Sequence, residues 1–167
     1  MKLPVLNQSL PSFSKLNIKG RHFAFPSRLT IAIHILLCIY QFSDEEKVTS
    51  NFLAGSIGVN PVIIRNVLLK LQNAELVTTA AGVGGSKLTR DPADITMLDI
   101  FKAVEDSEES LFHFHENPNP ECKVGHIIHA VLDDRLALIQ QEMENSMKSV
   151  TIQSIIDDMK KKQQEMI

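Results

Sequence analysis

Val62, Arg65, Asn66 and Lys70 fall together on one face of a helix-length stretch, P-V-I-I-R-N-V-L-L-K-L. Arginine can donate two hydrogen bonds to guanine, asparagine can exchange a pair with adenine, and valine methyls can meet the methyl of thymine. Asn60 and Pro61 open this stretch, and Ser50 stands near the start of the helix before it. Backbone N–H groups at a helix start, together with Ser50, could bind phosphate. Further along, A-A-G-V-G-G-S-K-L sets Gly82, Gly84 and Gly85 beside Ser86 and Lys87. Such a glycine segment either cradles the phosphates of a nucleotide or forms a hairpin tip that touches something else. A third segment, H-F-H-E-N-P-N-P-E-C-K-V-G-H-I-I-H, concentrates His113, His115, Cys122, His126 and His129. Cys122 and His126 lie one helical turn apart, a spacing that could chelate zinc or copper.

The elements that must position these groups follow from apolar spacing and caps. Ser27 can cap a helix running to about Phe42, with Leu29, Ile33, Leu36, Leu37 and Tyr40 at three- and four-residue spacing. Thr49 or Ser50 then caps a short helix from Asn51 to about Ile57, with Phe52, Leu53 and Ile57 inside and Gly58 closing it. Asn60 followed by Pro61 starts the next helix, because asparagine accepts from a free N–H and proline has none to satisfy. That helix runs to about Asn73 on a core stripe of Ile64, Val67, Leu68 and Leu71. Strands are expected at Leu76–Thr79 and Lys87–Thr89, around the glycine segment. Thr96 caps a helix with Met97, Ile100, Phe101 and Val104 on one face, and an acidic loop extends to Cys122. A long helix is expected from about Lys123 to Met147, striped by Ile128, Leu132, Leu136, Ile139 and Met143. Thr151 caps a last helix, Ile152 to about Lys162.

This order decides the glycine question. A phosphate-cradling loop needs a helix after it and the order G-K-[ST], whereas here the order is G-G-S-K and a strand follows. Two helices joined by a tight glycine turn, the second with a polar face, followed by a two-stranded hairpin, is the order of a winged helix-turn-helix. The fold class expected is therefore mainly α with a small β-hairpin: a winged helix-turn-helix domain followed by a long C-terminal helix. The hairpin tip would approach DNA through Gly82, Gly84, Gly85, Ser86 and Lys87.

Composition bounds the rest. The chain has 167 residues, 44% of them hydrophobic, enough for one sizeable core. Two cysteines, Cys38 and Cys122, are too few for a disulfide framework and fit a cytoplasmic setting. The longest apolar run, Ile31 to Tyr40, falls well short of a membrane span, and no membrane partner is expected. Residues 1–26 carry four basic and no acidic side chains, residues 27–90 six and four, and residues 91–167 seven and sixteen, for a net charge of −3. The first 26 residues, with Pro4, Pro11 and Pro26, read as an unstructured leader. There is no G-x-S-x-G, H-E-x-x-H or Walker sequence, so no enzyme is expected. Cys122, at the expected N-terminus of the long helix, would have its thiol pKa lowered by the helix dipole, which suits redox sensing. Packing as a small hydrophobe is the plainer use. No metal site is expected from the histidines, since closed sites need a defined ligand geometry.

S-R-L-T-I-A-I-H-I-L, G-V-N-P-V-I-I-R-N-V-L-L-K-L, A-G-V-G-G-S-K-L and D-P-A-D-I-T-M-L-D-I-F-K-A-V resemble, in this order, a bacterial regulator family. It is the family of the iron-sulfur regulator IscR, the nitric-oxide sensor NsrR and the cysteine-metabolism repressor CymR. The resemblance spans about residues 27 to 160 and looks closest to YwnA-like members, which share H-E-N-P-N-P followed by Cys-x-Val-Gly. It implies a homodimeric winged-helix transcription regulator that binds double-stranded DNA and dimerises mainly through the long helix. Cluster-binding members carry three closely spaced cysteines before that helix. Here only Cys122 stands there, resembling the last of the three, and His113 and His115 do not reproduce the spacing. No iron-sulfur cluster or other cofactor is expected, and no effector is specified. The expected organisation is a leader (1–26), a winged helix-turn-helix domain (27–104), a loop (105–121) and a helical dimerisation region (122–167). Two alternatives stay open: a winged-helix module for protein contact, and a thiol- or metal-responsive regulator acting through Cys122.

Overall fold

The computed structural model describes residues 27–79, 85–105 and 117–166, so the leader at 1–26 lies outside the described residues. The central element is α1, Ser27–Phe42, which buries Leu29, Ile31, Ala32, Ile35, Leu36, Cys38 and Ile39. A helix apolar on nearly every side must be covered on nearly every side. Helices α2 (Ser50–Ile57), α3 (Pro61–Asn73), α4 (Met97–Val104) and α6 (Ile152–Glu165) all pack against it.

Local chemistry sets the turn between α2 and α3. Thr49, rather than Ser50, caps α2 by accepting from the Phe52 N–H. Gly58 closes α2 in the left-handed region at φ 74°, where its N–H reaches the Ala54 carbonyl. Only glycine adopts this conformation without a Cβ penalty. The axis then bends by 114° into α3, within the range of a helix-turn-helix. Asn60 starts α3 by accepting the Val62 N–H at 2.8 Å.

At the other end of α3, Glu75 takes a left-handed φ of 55° and the Leu76 N–H returns to the Leu71 carbonyl. Strand β1, Val77–Thr79, pairs antiparallel with β2, Ser86–Leu88, in the register Val77↔Leu88, Thr78↔Lys87 and Thr79↔Ser86. Both strands differ by one residue from the sequence expectation. Leu76 still belongs to the turn that closes α3, and Thr89 is bonded to that turn through the Glu75 and Leu76 carbonyls.

A 3-10 turn, Pro92–Asp94, leads to α4, where Thr96 and Asp99 form the reciprocal hydrogen bonds of a capping box. Helix α5, Ile128–Lys148, begins later than the expected Lys123, because residues 120–127 are turns. A Cβ at Gly125 would lie 2.4 Å from the Asn119 carbonyl oxygen, so the chain folds back on itself here instead of extending α5. Helix α6, expected with the dimerisation region, joins the winged core. Ile152 and Ile156 are fully buried there, and Thr96 bridges Thr151 while Met97 and Ile152 donate N–H groups to Val150 and Ile95.

Candidate nucleic-acid interface

Helix α3 is anchored by Ile64, Val67, Leu68 and Leu71, all buried, so its opposite face is fixed outward. Val62, Arg65 and Asn66 are exposed on that face. The structure thus brings together the three side chains that the sequence assigned to base edges, in the N-terminal half of a rigidly held helix. Asn60 and Pro61 serve the helix start itself, and half-buried Ser50 lies in the first turn of α2.

Lys70 is used differently from the expectation. Its Nζ donates to the Val104 carbonyl at 3.0 Å, one of the last carbonyls of α4, so this ammonium ties α3 to α4. A cation at a helix C-terminus also opposes the negative end of the helix dipole. A shallow groove runs between α3 and the first turn of α1, lined by Ser27, Arg28, Ile31, Ile63, Asn66 and Leu69 among others. Arg28 therefore stands across a groove from Asn66, a placement that helix periodicity within α1 did not reveal.

The hairpin adjoins the C-terminal end of α3, joined to it by a hydrogen bond from Gln72 to Thr79. Arg90 adds another link, donating to the Ala74 carbonyl at 3.3 Å. Gly82 and Gly84 lie outside the described residues. Gly85 and Ser86, expected at a DNA-facing tip, are turned to the protein instead. A Cβ at Gly85 would stand 2.4 Å from the Val48 nitrogen, and the Ser86 N–H donates to the Val48 carbonyl at 3.0 Å. Ser86 is only 1% exposed. Glycine is required here for backbone approach to Val48, while Lys87 points outward as an exposed cation.

Cys122 is exposed in the turns before α5. Hydrogen bonds from the Gly125 and Val124 N–H groups lower its thiol pKa. The helix dipole is not the cause, since α5 starts at Ile128. His126 donates its backbone N–H to the Cys122 carbonyl at 2.9 Å, and the His129 ring sits 3.2 Å from Asp133 on its own helix. Among the described residues no three His, Cys, Asp or Glu side chains gather as a metal site. His113 and His115 lie outside the described residues.

The expected stripe of α5 divides between two directions. Met143 packs on the core and Met147 is buried there, with Ile128 and Leu136 half-buried. Leu132 and Ile139 are exposed, as are Val124, Ile127, Val131 and Leu138.

Comparison with known proteins agrees with this geometry. The profile of the Rrf2 family, described as iron-dependent transcriptional regulators, matches residues 25–158. The Bacillus subtilis protein YwnA, named among HTH-type transcriptional regulators, is 43% identical over 131 residues, 78% of this chain and 96% of YwnA. A crystal structure titled as a DNA-binding protein is 36% identical, with a TM-score of 0.63, covering 77% of this chain and 98% of that one. The global cysteine regulator CymR of B. subtilis shares the fold, with a TM-score of 0.58 at 19% identity, over 78% of this chain and 93% of CymR.

Proposed function

The chain belongs to the Rrf2 family of transcriptional regulators, and on that premise we propose that it reads operators as a homodimer through Val62, Arg65 and Asn66. The family is one of DNA-binding regulators, not enzymes. The observation that carries the residue assignment is the fixed outward face of α3, with its apolar stripe fully buried behind it. Lys87 and Arg28 flank that face and contact phosphate, which positions the protein without reading sequence. The open apolar surface of α5 pairs with its counterpart in a second copy, setting two reading helices on half-sites about 34 Å apart. The dimer works in the cytoplasm.

The family's description as iron-dependent raises the question of a cluster. Iron-sulfur clusters are held by several thiolates, typically four, whereas this chain has two cysteines in all. Cys38 is buried in α1, and Cys122 stands alone in an exposed turn. The donor set does not fit a thiolate-held cluster, and regulation here proceeds without one.

The test is selection of genomic fragments by the purified protein, followed by footprinting. A shared two-fold motif with protections spaced by one helical turn is expected. Uniform, sequence-independent recovery would favour a module for protein contact instead.

A further inference from the structure

We propose that Arg135 and Glu142 fix how two copies of the chain pair, by forming two symmetric Arg135–Glu142 ion pairs across an antiparallel α5–α5 seam; this inference rests on the dimer reading above. Its first support is where these charges stand on the helix. At about 3.6 residues per turn, Val131, Leu132, Leu138 and Ile139 all lie within about 60° of Arg135, and Glu142 lies about 20° from it. Those four aliphatic side chains are exposed, as are Arg135 and Glu142 between them. The other side of α5 faces the protein, through buried Met147 and through Met143, which packs on the core.

The second support is charge complementarity. Two other acidic groups of this helix are engaged within it, Asp133 with His129 and Glu144 with Gln140. Among the described residues, neither Arg135 nor Glu142 has such a partner. A cation and an anion in the middle of an aliphatic stripe suit an interface only when they are paired, because a buried lone charge is costly. Parallel α5 helices in register would set Arg135 against Arg135 and Glu142 against Glu142. An antiparallel pairing centred on Arg135 would likewise bring two guanidinium groups together. Centred between Leu138 and Ile139, the antiparallel pairing joins these aliphatic side chains to their counterparts. It also sets Arg135, three residues before Leu138, opposite Glu142, three residues beyond Ile139. Two-fold symmetry then forms the same pair twice. Charges so placed select orientation and register, as polar seam residues do in coiled coils, and they reject helices of other charge pattern. The occupant that fits is a second copy of this chain.

The test measures dimer dissociation by sedimentation for Arg135→Glu, Glu142→Arg and the double exchange. Each single change sets like charges at both symmetric positions and should weaken the dimer about 100-fold or more. The double exchange restores opposite charges and should return dissociation to within about threefold of the unmodified protein. Equimolar Arg135→Glu and Glu142→Arg chains should form mixed dimers, which also shows that both single variants fold. Unmodified chains mixed with the double exchange should sort into separate homodimers, whereas parallel pairing would make them mix. Dimers unaffected by either single change, no rescue in the double exchange or in the mixture of single variants, or mixing of unmodified with doubly exchanged chains would overturn the pairing. Failure of the dimer reading is seen separately, as an unmodified protein that sediments as a monomer, and it takes the pairing with it.

Discussion

Val62 on α3 and Leu138 on α5 are exposed to nearly the same degree, 53% and 57%, yet the helices beneath them are built differently. In α3 every residue of the apolar stripe is covered by its own chain, and what remains outside sets Arg65 and Asn66 among exposed Val62, Ile63 and Leu69. In α5 only Met147 is fully covered, and Val131, Leu132, Leu138 and Ile139 are left as exposed aliphatic side chains beside charged neighbours such as Arg135. A face that mixes hydrogen-bonding groups with a methyl suits a wet, reversible contact with base edges. Four exposed aliphatic side chains along one helix suit an apolar partner, since open apolar patches mark interaction sites. Exposure alone does not identify a partner; the chemistry surrounding an exposed residue does.

The largest expected effect comes from removing the apolar character of α5. Leu138→Asp combined with Ile139→Asp should convert dimers to monomers in sedimentation, because the pairing would bury unpaired carboxylates. Operator affinity should then fall about 100-fold or more, as two half-sites are no longer held by one particle. A variant that stays dimeric would break the comparison at α5. Next, Arg65→Ala should cost about 1–3 kcal/mol of discrimination between selected and scrambled duplexes, with little change on the scrambled one. Equal losses on both would mean that Arg65 meets only phosphate. The smallest effect concerns α4, to which Lys70 of α3 is tied. Burial opposes the Asp99 charge, but hydrogen bonds from the Thr96 hydroxyl and N–H, with Arg90 and Lys102 nearby, outweigh it and hold the pKa below the ordinary value. A depressed carboxylate stabilises the fold above its unfolded pKa, and that contribution is lost as pH falls through the folded value. Asp99→Asn should therefore cost about 1 kcal/mol at pH 7 in denaturant unfolding, the difference narrowing as pH drops below about 4.

Much of the outward face of α3 was legible because its determinants are local. Asn60 with Pro61, Gly58 and the Ile64–Leu71 stripe act within one or two turns, and α3 begins and ends at the residues these signals indicate. What escaped the sequence depends on residues distant in the chain. Lys70 meets a carbonyl 34 positions away, and Ser86 and Gly85 are turned inward by Val48, which lies before α2. Helix α6 looked like part of a dimerisation region because its amphipathic pattern does not say which surface covers it; the bridge from Thr96 to Thr151 does. The late start of α5 had a partial signal in Gly125, whose lack of a Cβ permits approach to Asn119. Helix periodicity alone carried the expected start back to Lys123.

The central claim is that the outward face of α3 meets DNA while that of α5 meets a second copy. Placing a photo-crosslinking amino acid at Val62 in one protein and at Leu138 in another, each bound to a selected fragment, tests it directly. Position 62 should yield protein–DNA adducts and position 138 covalent protein dimers. Adducts to DNA from position 138, or protein dimers from position 62, would contradict the account.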